Sequence, residues 1–201
     1  MTRLKQAGEF ILGKLKIELP THLSYHNSIH TLDVLQAAEN LSGIERTSDS
    51  DKELLFTAAL FHDSGFVRSR ENHETESCNI ARKFLPAYNY DEHEIERICA
   101  MIIATKVPQE PQNHLQALLC DADLDYLGRD DFFMLSHQLF LELYAEGLVK
   151  DESEWNKQQV EFMESHFYHT STAVKLRQEK KEAHIEIIKS KISKPIFNEN
   201  Q

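Results

Sequence analysis

Glycine and proline are scarce in this sequence, with 6 glycines and 5 prolines among 201 residues. The chain also has no stretch in which apolar and polar residues alternate over the length of a strand. Apolar residues instead recur at the helical spacing almost throughout the sequence. These features predict an all-α fold and argue against a sheet-based one.

Cysteine is rare as well: Cys78, Cys99 and Cys120 are an odd number and contain no C-x-x-C pair. We therefore expect no disulfide framework and interpret all three as reduced core residues. No apolar run is long enough for a transmembrane helix. Residues 1–18 mix charged with apolar side chains and lack a signal-peptide core, which predicts a cytoplasmic protein.

Basic residues are outnumbered, since 22 lysines and arginines stand against 33 aspartates and glutamates and give a formal net charge of −11. This balance argues against broad nucleic-acid binding, which needs a basic face. It does not exclude a phosphate substrate, because a bound metal ion can reverse the sign of the charge inside one pocket.

Apolar residues make up 41% of the chain, which is enough for a hydrophobic core. We predict one helical domain over residues 1–192, whose C-terminal helices (131–192) pack against a core of about residues 20–130, followed by a disordered tail over residues 193–201. Helices are predicted at residues 2–18, 27–42, 52–62, 73–85, 91–105, 113–127, 132–143, 154–167 and 170–192, with a loop at 64–72.

The most informative stretch is residues 60–65, with the sequence LFHDSG. An apolar run over residues 54–61 brings His62 and Asp63 side by side, and a glycine follows at once. Burying two polar groups at the end of such a run is costly unless something satisfies them. Because imidazole and carboxylate are both ligands for divalent metals, a metal ion would satisfy them. Taken alone, the pair would be interpreted as a core histidine followed by a loop aspartate.

Two further segments support the metal interpretation: YHNSIH at residues 25–30 and CDADL at residues 120–124. Four residues, in this order, carry a resemblance to the HD-domain superfamily of metal-dependent phosphohydrolases: His30, His62, Asp63 and Asp123. The upstream segment is also similar to the corresponding motif of the eukaryotic cyclic-nucleotide phosphodiesterases, which belong to the same superfamily. The resemblance implies an HD-type helical bundle in which these four residues bind a metal ion.

The last carboxylate ligand is ambiguous between Asp121 and Asp123. In the phosphodiesterases, the ligand is followed directly by leucine and, four residues later, by another aliphatic residue. Asp123 fits that spacing with Leu124 and Leu127, whereas Asp121 is preceded by Cys120 and stays the alternative. The carboxylate that does not bind metal is expected to accept a hydrogen bond from a ligand histidine or to cap a helix.

Two histidines, two carboxylates and vacant positions suit one six-coordinate Mn²⁺, Fe²⁺, Ni²⁺, Co²⁺ or Mg²⁺ per chain better than structural zinc. Such an ion makes hydroxide available near neutral pH and polarises a phosphoryl oxygen. The resemblance to the phosphodiesterases implies that His26 is the general acid that protonates the leaving oxygen. The alternative for His26 is an exposed surface histidine.

Five further residues are candidates for the same site. His73 and Glu74 are candidate catalytic residues that contact substrate or metal-bound water, and His73 is alternatively a ligand of a second metal. Arg68 and Arg70 on the predicted loop, and Lys106 at a helix end, are candidate phosphate-binding groups. Solvated surface charge is the alternative for all three basic residues.

Together these features predict a metal-dependent phosphohydrolase that cleaves a phosphomonoester or phosphodiester of a small molecule, with a nucleotide as the candidate substrate. The alternative function is a regulatory module that binds metal and a nucleotide-like ligand with little or no turnover. Phe132, Phe133 and Phe140 are interpreted as core residues or as the surface of a homodimer, and Asp125 as an exposed carboxylate.

Overall fold

The computed structural model describes residues 1–193, and all regular structure within that range is helical. The α-helices are α1 (Arg3–Glu18), α2 (Ser28–Ile44), α3 (Asp49–Phe61), α4 (His73–Phe84), α5 (Glu92–Ala104), α6 (His114–Asp123), α7 (Phe132–Ala145), α8 (Glu152–Ser165) and α9 (Ser171–Ile192). Short 3₁₀ helices cover Ser64–Val67, Leu85–Tyr88 and Asp125–Gly128. The predicted all-α fold is confirmed. Of the predicted tail, Ser193 caps α9, and residues 194–201 lie outside the described range.

Short polar side chains fix the first turns of the helices that carry the site. Asn27 Oδ1 accepts a hydrogen bond of 2.8 Å from the Ile29 amide, which sets the start of α2 just before His30. Ser48 caps α3 in the same way by accepting from the Asp51 amide. Both caps satisfy amides that a helix leaves unpaired.

Two apolar clusters hold the helices together. The first is built around α3, whose residues 54–61 are buried apart from the half-buried Phe56, and it draws in apolar residues of α1, α2, α4, α5 and α6. The second joins α7, α8 and α9 to two tyrosines, Tyr25 and Tyr126. No helix in the described part of the chain is both long and apolar enough to cross a bilayer.

The C-terminal helices are anchored to the segment that follows α6. The Arg177 guanidinium on α9 donates to both oxygens of Asp125, at 2.7 and 3.1 Å. The prediction that Asp125 is exposed is therefore wrong: the residue is buried, and its charge is paired. At Gly128 a Cβ would lie 2.7 Å from the Cα of Arg177, so the absence of a side chain allows this close approach.

The predicted loop over residues 64–72 begins as a 3₁₀ helix, Ser64–Val67, which turns the chain directly after His62 and Asp63. The amide of Gly65 donates to Ser77 Oγ on α4 at 2.8 Å. The sequence predicted only a loop here, because the partner that orders it lies on the next helix.

Candidate metal centre

Three helix segments bring the four predicted ligands into contact. His30 comes from the first turn of α2, His62 and Asp63 follow the end of α3, and Asp123 ends α6. The two histidine Nε2 atoms are 3.3 Å apart. Asp63 Oδ2 lies 3.4 Å from Nε2 of His30 and 3.3 Å from that of His62. Asp123 Oδ1 lies 3.4 Å from both nitrogens.

These separations fit ligands of one metal ion. Two donors that each lie about 2.1 Å from an ion, at roughly 90–110° to one another, are about 3.0–3.4 Å apart. His62 Nδ1 donates to the Ala59 carbonyl at 2.7 Å, so the lone pair of Nε2 faces the cluster. Such a bond to the second ring nitrogen is how a metal-binding histidine is oriented. The donor set therefore fits a divalent cation.

The charges of the cluster are mutually stabilised. Burial alone would lower the pKa of His62, but Asp63 and Asp123 outweigh it and raise that pKa well above its usual value. Burial would raise the pKa of Asp123, yet hydrogen bonds from His30 and His62 lower it to about 2. The carboxylates thus stay ionised in a buried place, which is the electrostatic condition for holding a cation.

Asp121 lies away from this cluster. Its two carboxylate oxygens accept backbone hydrogen bonds from His169 at 2.7 Å and Thr170 at 2.8 Å. Thr170 is the N-cap of α9, so the carboxylate supports the start of that helix. The structure brings Asp123, and not the alternative Asp121, to the histidines.

A cavity of about 660 Å³ opens over the cluster. Of the predicted catalytic and phosphate-binding residues, five line it: His26, Arg70, His73, Glu74 and Lys106. Arg68 does not line the cavity. Its exposed guanidinium lies 3.0 Å from Glu76, so the structure gives it a surface ion pair in place of the predicted role.

His73 adjoins the cluster through Asp63. Its Nδ1 donates to the Arg70 carbonyl at 2.9 Å, and its Nε2 lies 3.4 Å from Asp63 Oδ1. Asp63 therefore faces the two cluster histidines with Oδ2 and His73 with Oδ1. Glu74 is buried, with Oε1 3.6 Å from the same Nε2.

His26 is held by a residue that the sequence did not indicate. Its Nδ1 donates to Oε1 of Glu142 at 2.5 Å, and the backbone amides of Tyr25 and His26 donate to Oε2 at 2.9 Å. The imidazole also stacks on Phe66, with ring centroids 4.3 Å apart. Glu142 is fully buried on α7. The available signal was that Glu142 is the only acidic residue within a mostly apolar helix.

Arg70 shares that carboxylate. Its guanidinium contacts Glu142 on α7 and Glu146 at the C-cap of that helix, and it lies over the Phe66 ring at 5.1 Å. Part of its charge is thus neutralised within the protein, while the side chain still borders the cavity.

Replacing Glu142 by glutamine is expected to destabilise the protein by about 2–3 kcal/mol at pH 7. Burial would raise the pKa of Glu142, but bonds from His26 and the backbone lower it from 4.5 to about 2. A lowered carboxyl pKa contributes stability that is present above pH 4.5 and is lost as pH falls towards 2. Urea unfolding of both proteins across this range should show the difference shrink. A difference that is constant with pH would contradict this account.

The chain is similar to known proteins over this region. A family model described as HD domain matches residues 27–125. An uncharacterized protein of Clostridium beijerinckii is 37% identical over 86 residues, covering 41% of this chain and 54% of that protein, so the match spans about half of the relative's length.

Two solved structures share the fold. A predicted HD superfamily hydrolase from an uncultured Thermotogales bacterium superposes with a TM-score of 0.60 and 18% identity, over 96% of this chain and 92% of that one. YpgQ of Bacillus subtilis in complex with ADP superposes with a TM-score of 0.64 and 20% identity, over 100% of both chains. At these identities the likeness shows the fold alone.

Proposed function

We infer that the chain belongs to the HD-domain superfamily of metal-dependent phosphohydrolases, and from this premise we propose that it hydrolyses a phosphate ester of a nucleotide. The observation that carries the proposal is the convergence of His30, His62 and Asp123, with Asp63 against both histidines, beneath a cavity of about 660 Å³. Such a cavity is of the size that admits a small-molecule substrate.

These four side chains would hold the metal ion. When bound there, a divalent ion supplies a nucleophilic hydroxide near neutral pH and polarises the phosphoryl group. Asp63 also faces His73, so the ligand carboxylate is positioned from two sides. His73 and Glu74 border the cavity at this point, where they can orient substrate or water by hydrogen bonds.

His26 supplies the proton for the leaving oxygen in this proposal. Because its Nδ1 donates to Glu142, Nε2 is the ring nitrogen that remains to exchange a proton at the cavity. The Phe66 ring and the Glu142 carboxylate together restrict the imidazole to one orientation. Glu142 therefore acts on the reaction by positioning His26.

The substrate phosphate is expected between the metal centre and the basic groups of the cavity. Lys106 is exposed at the cavity border, and the Arg70 side chain lines the same cavity. Lys106 offers its positive charge there, whereas the charge of Arg70 is partly neutralised by Glu142 and Glu146. The presence of ADP in the YpgQ complex supports a nucleotide as the substrate.

The test is a hydrolysis screen of protein stripped with EDTA and reloaded with Mn²⁺, Fe²⁺, Ni²⁺, Co²⁺ or Mg²⁺. Nucleoside phosphates, cyclic nucleotides and sugar phosphates are compared by phosphate release and by chromatography of the products. We expect one stoichiometric ion and metal-dependent cleavage of at least one nucleotide class. Tight binding of metal and nucleotide without turnover of any substrate would instead identify a regulatory module.

A further inference from the structure

The lining of the cavity has two chemically different parts. The metal ligands and basic groups stand on segments before residue 124, within the part matched by the HD family model. The other part comes from α7 and α8, beyond that match, and is largely apolar: Leu139, Leu143, Trp155 and Phe162. A substrate that fills the cavity therefore meets the metal centre with its phosphate and the α7–α8 wall with an apolar or aromatic group.

Two polar side chains of α8 interrupt the apolar wall, the exposed Gln158 and the buried Gln159. Gln159 on α8 lines the cavity and is only 5% exposed. Its Oε1 accepts a hydrogen bond of 2.5 Å from Ser136 Oγ on α7. Among the residues that the structure describes, its Nε2 has no hydrogen-bond partner. This nitrogen is open to the cavity, where a bound group that accepts hydrogen bonds can pair with it.

Two hydrogen bonds that meet at Ser136 indicate which end of that amide faces the cavity. Trp155 Nε1 donates to Ser136 Oγ at 3.3 Å, and the Ser136 hydroxyl in turn donates a hydrogen bond to Gln159 Oε1. Since Oε1 is turned towards Ser136, the two N–H groups of Nε2 are left for the cavity. The bond to Ser136 also holds the indole of Trp155, which is the only tryptophan in the sequence.

We propose that this wall is a nucleobase subsite in which Gln159 Nε2 donates to a ring nitrogen or carbonyl oxygen of a heteroaromatic base lying against Trp155 and Phe162. The chemistry favours a base over an aliphatic group, because an aliphatic group would leave the Gln159 donors buried and unpaired. Aromatic rings supply the stacking surface, and the amide supplies the specificity. The inference depends on the proposed function only for the statement that the substrate group at the metal centre is a phosphate.

The fluorescence of Trp155 reports directly on this subsite. Protein loaded with Mg²⁺ is titrated with α,β-methylene-ADP and, as the base-free counterpart, with methylenediphosphonate. The nucleotide analogue is expected to change the Trp155 emission and to bind about tenfold or more tightly than the base-free ligand. Equal affinities of the two ligands, with no change in emission, would overturn the proposal.

Three variants assign the contact to Gln159. Gln159→Met keeps the length of the side chain but removes the donors, and Gln159→Glu keeps an acceptor for Ser136 while removing the donors. Both are expected to bind the nucleotide analogue about tenfold more weakly and methylenediphosphonate unchanged by calorimetry. Gln36→Met, at an exposed position of α2, is the matched control and should match the wild type.

The outcomes separate this inference from the proposed function. Wild-type affinity for the analogue in the folded Gln159→Glu protein would refute the subsite even if nucleotides are hydrolysed. Base-dependent binding that is lost in the Gln159 variants would support the subsite even if the hydrolysis screen finds no turnover. If Gln159→Met does not fold, Gln159→Glu alone decides.

Discussion

Replacing Asp123 by asparagine is expected to abolish stoichiometric metal binding and to lower kcat/KM by at least about a thousandfold. The carboxylate lies 3.4 Å from both histidine Nε2 atoms, so the change removes the charge of a proposed ligand at the cluster. Losing the ion removes several kcal/mol of charge stabilisation, and each 1.4 kcal/mol corresponds to about tenfold in rate. Metal analysis after dialysis and steady-state kinetics on the best substrate of the screen are the measurements. His62→Ala and Asp63→Ala should behave alike.

Asp121→Asn is the matched control, because it makes the same chemical change two residues away. Asp121 accepts two backbone hydrogen bonds at the start of α9, and asparagine can keep only one of them. We expect a loss of stability of about 1–2 kcal/mol, with metal content and kcat/KM close to those of the wild type. Loss of metal in Asp121→Asn and its retention in Asp123→Asn would reverse the ligand assignment.

The helices and the four clustered residues were accessible from the sequence for physical reasons. Helical periodicity is a local signal, so the bounds of α1 and α9 agree with the prediction to within a residue at each end. The cluster was accessible because the types and order of His30, His62 and Asp63 carry the resemblance. The choice between Asp121 and Asp123 depended on flanking residues, and the structure separates the two by their partners.

The parts of the site that the sequence missed depend on contacts between distant segments. Glu142 meets His26 across 116 residues, and nothing near either residue announces the pairing. The amide of Gln159 is oriented by a hydrogen bond from Ser136, which stands on another helix. Asp125 looked like a surface charge because its partner, Arg177, is far along the chain. Such pairs follow from how α7, α8 and α9 pack, and periodicity does not encode that packing.

Gly65→Ala is expected to lower the free energy of unfolding by about 3 kcal/mol and the melting temperature by about 10 °C. A Cβ at this position would lie 2.7 Å from the carbonyl carbon of His73 and 2.9 Å from Cβ of Glu76. The first obstacle is backbone, so the added methyl group must push the start of α4 away from the 3₁₀ helix Ser64–Val67. Thermal and urea unfolding measure the loss.

The same displacement should reach the metal centre. His73 is the first residue of α4, and its Nε2 lies 3.4 Å from Oδ1 of Asp63. A misplacement of about 1 Å in a catalytic site can cost about a hundredfold in rate. Gly13→Ala is the control: nothing lies within 4 Å of the added Cβ on α1, so helix propensity should stabilise that protein by up to about 1 kcal/mol. If both alanine variants unfold like the wild type, the close approach of α4 to Gly65 is not what orders the chain beside the metal ligands.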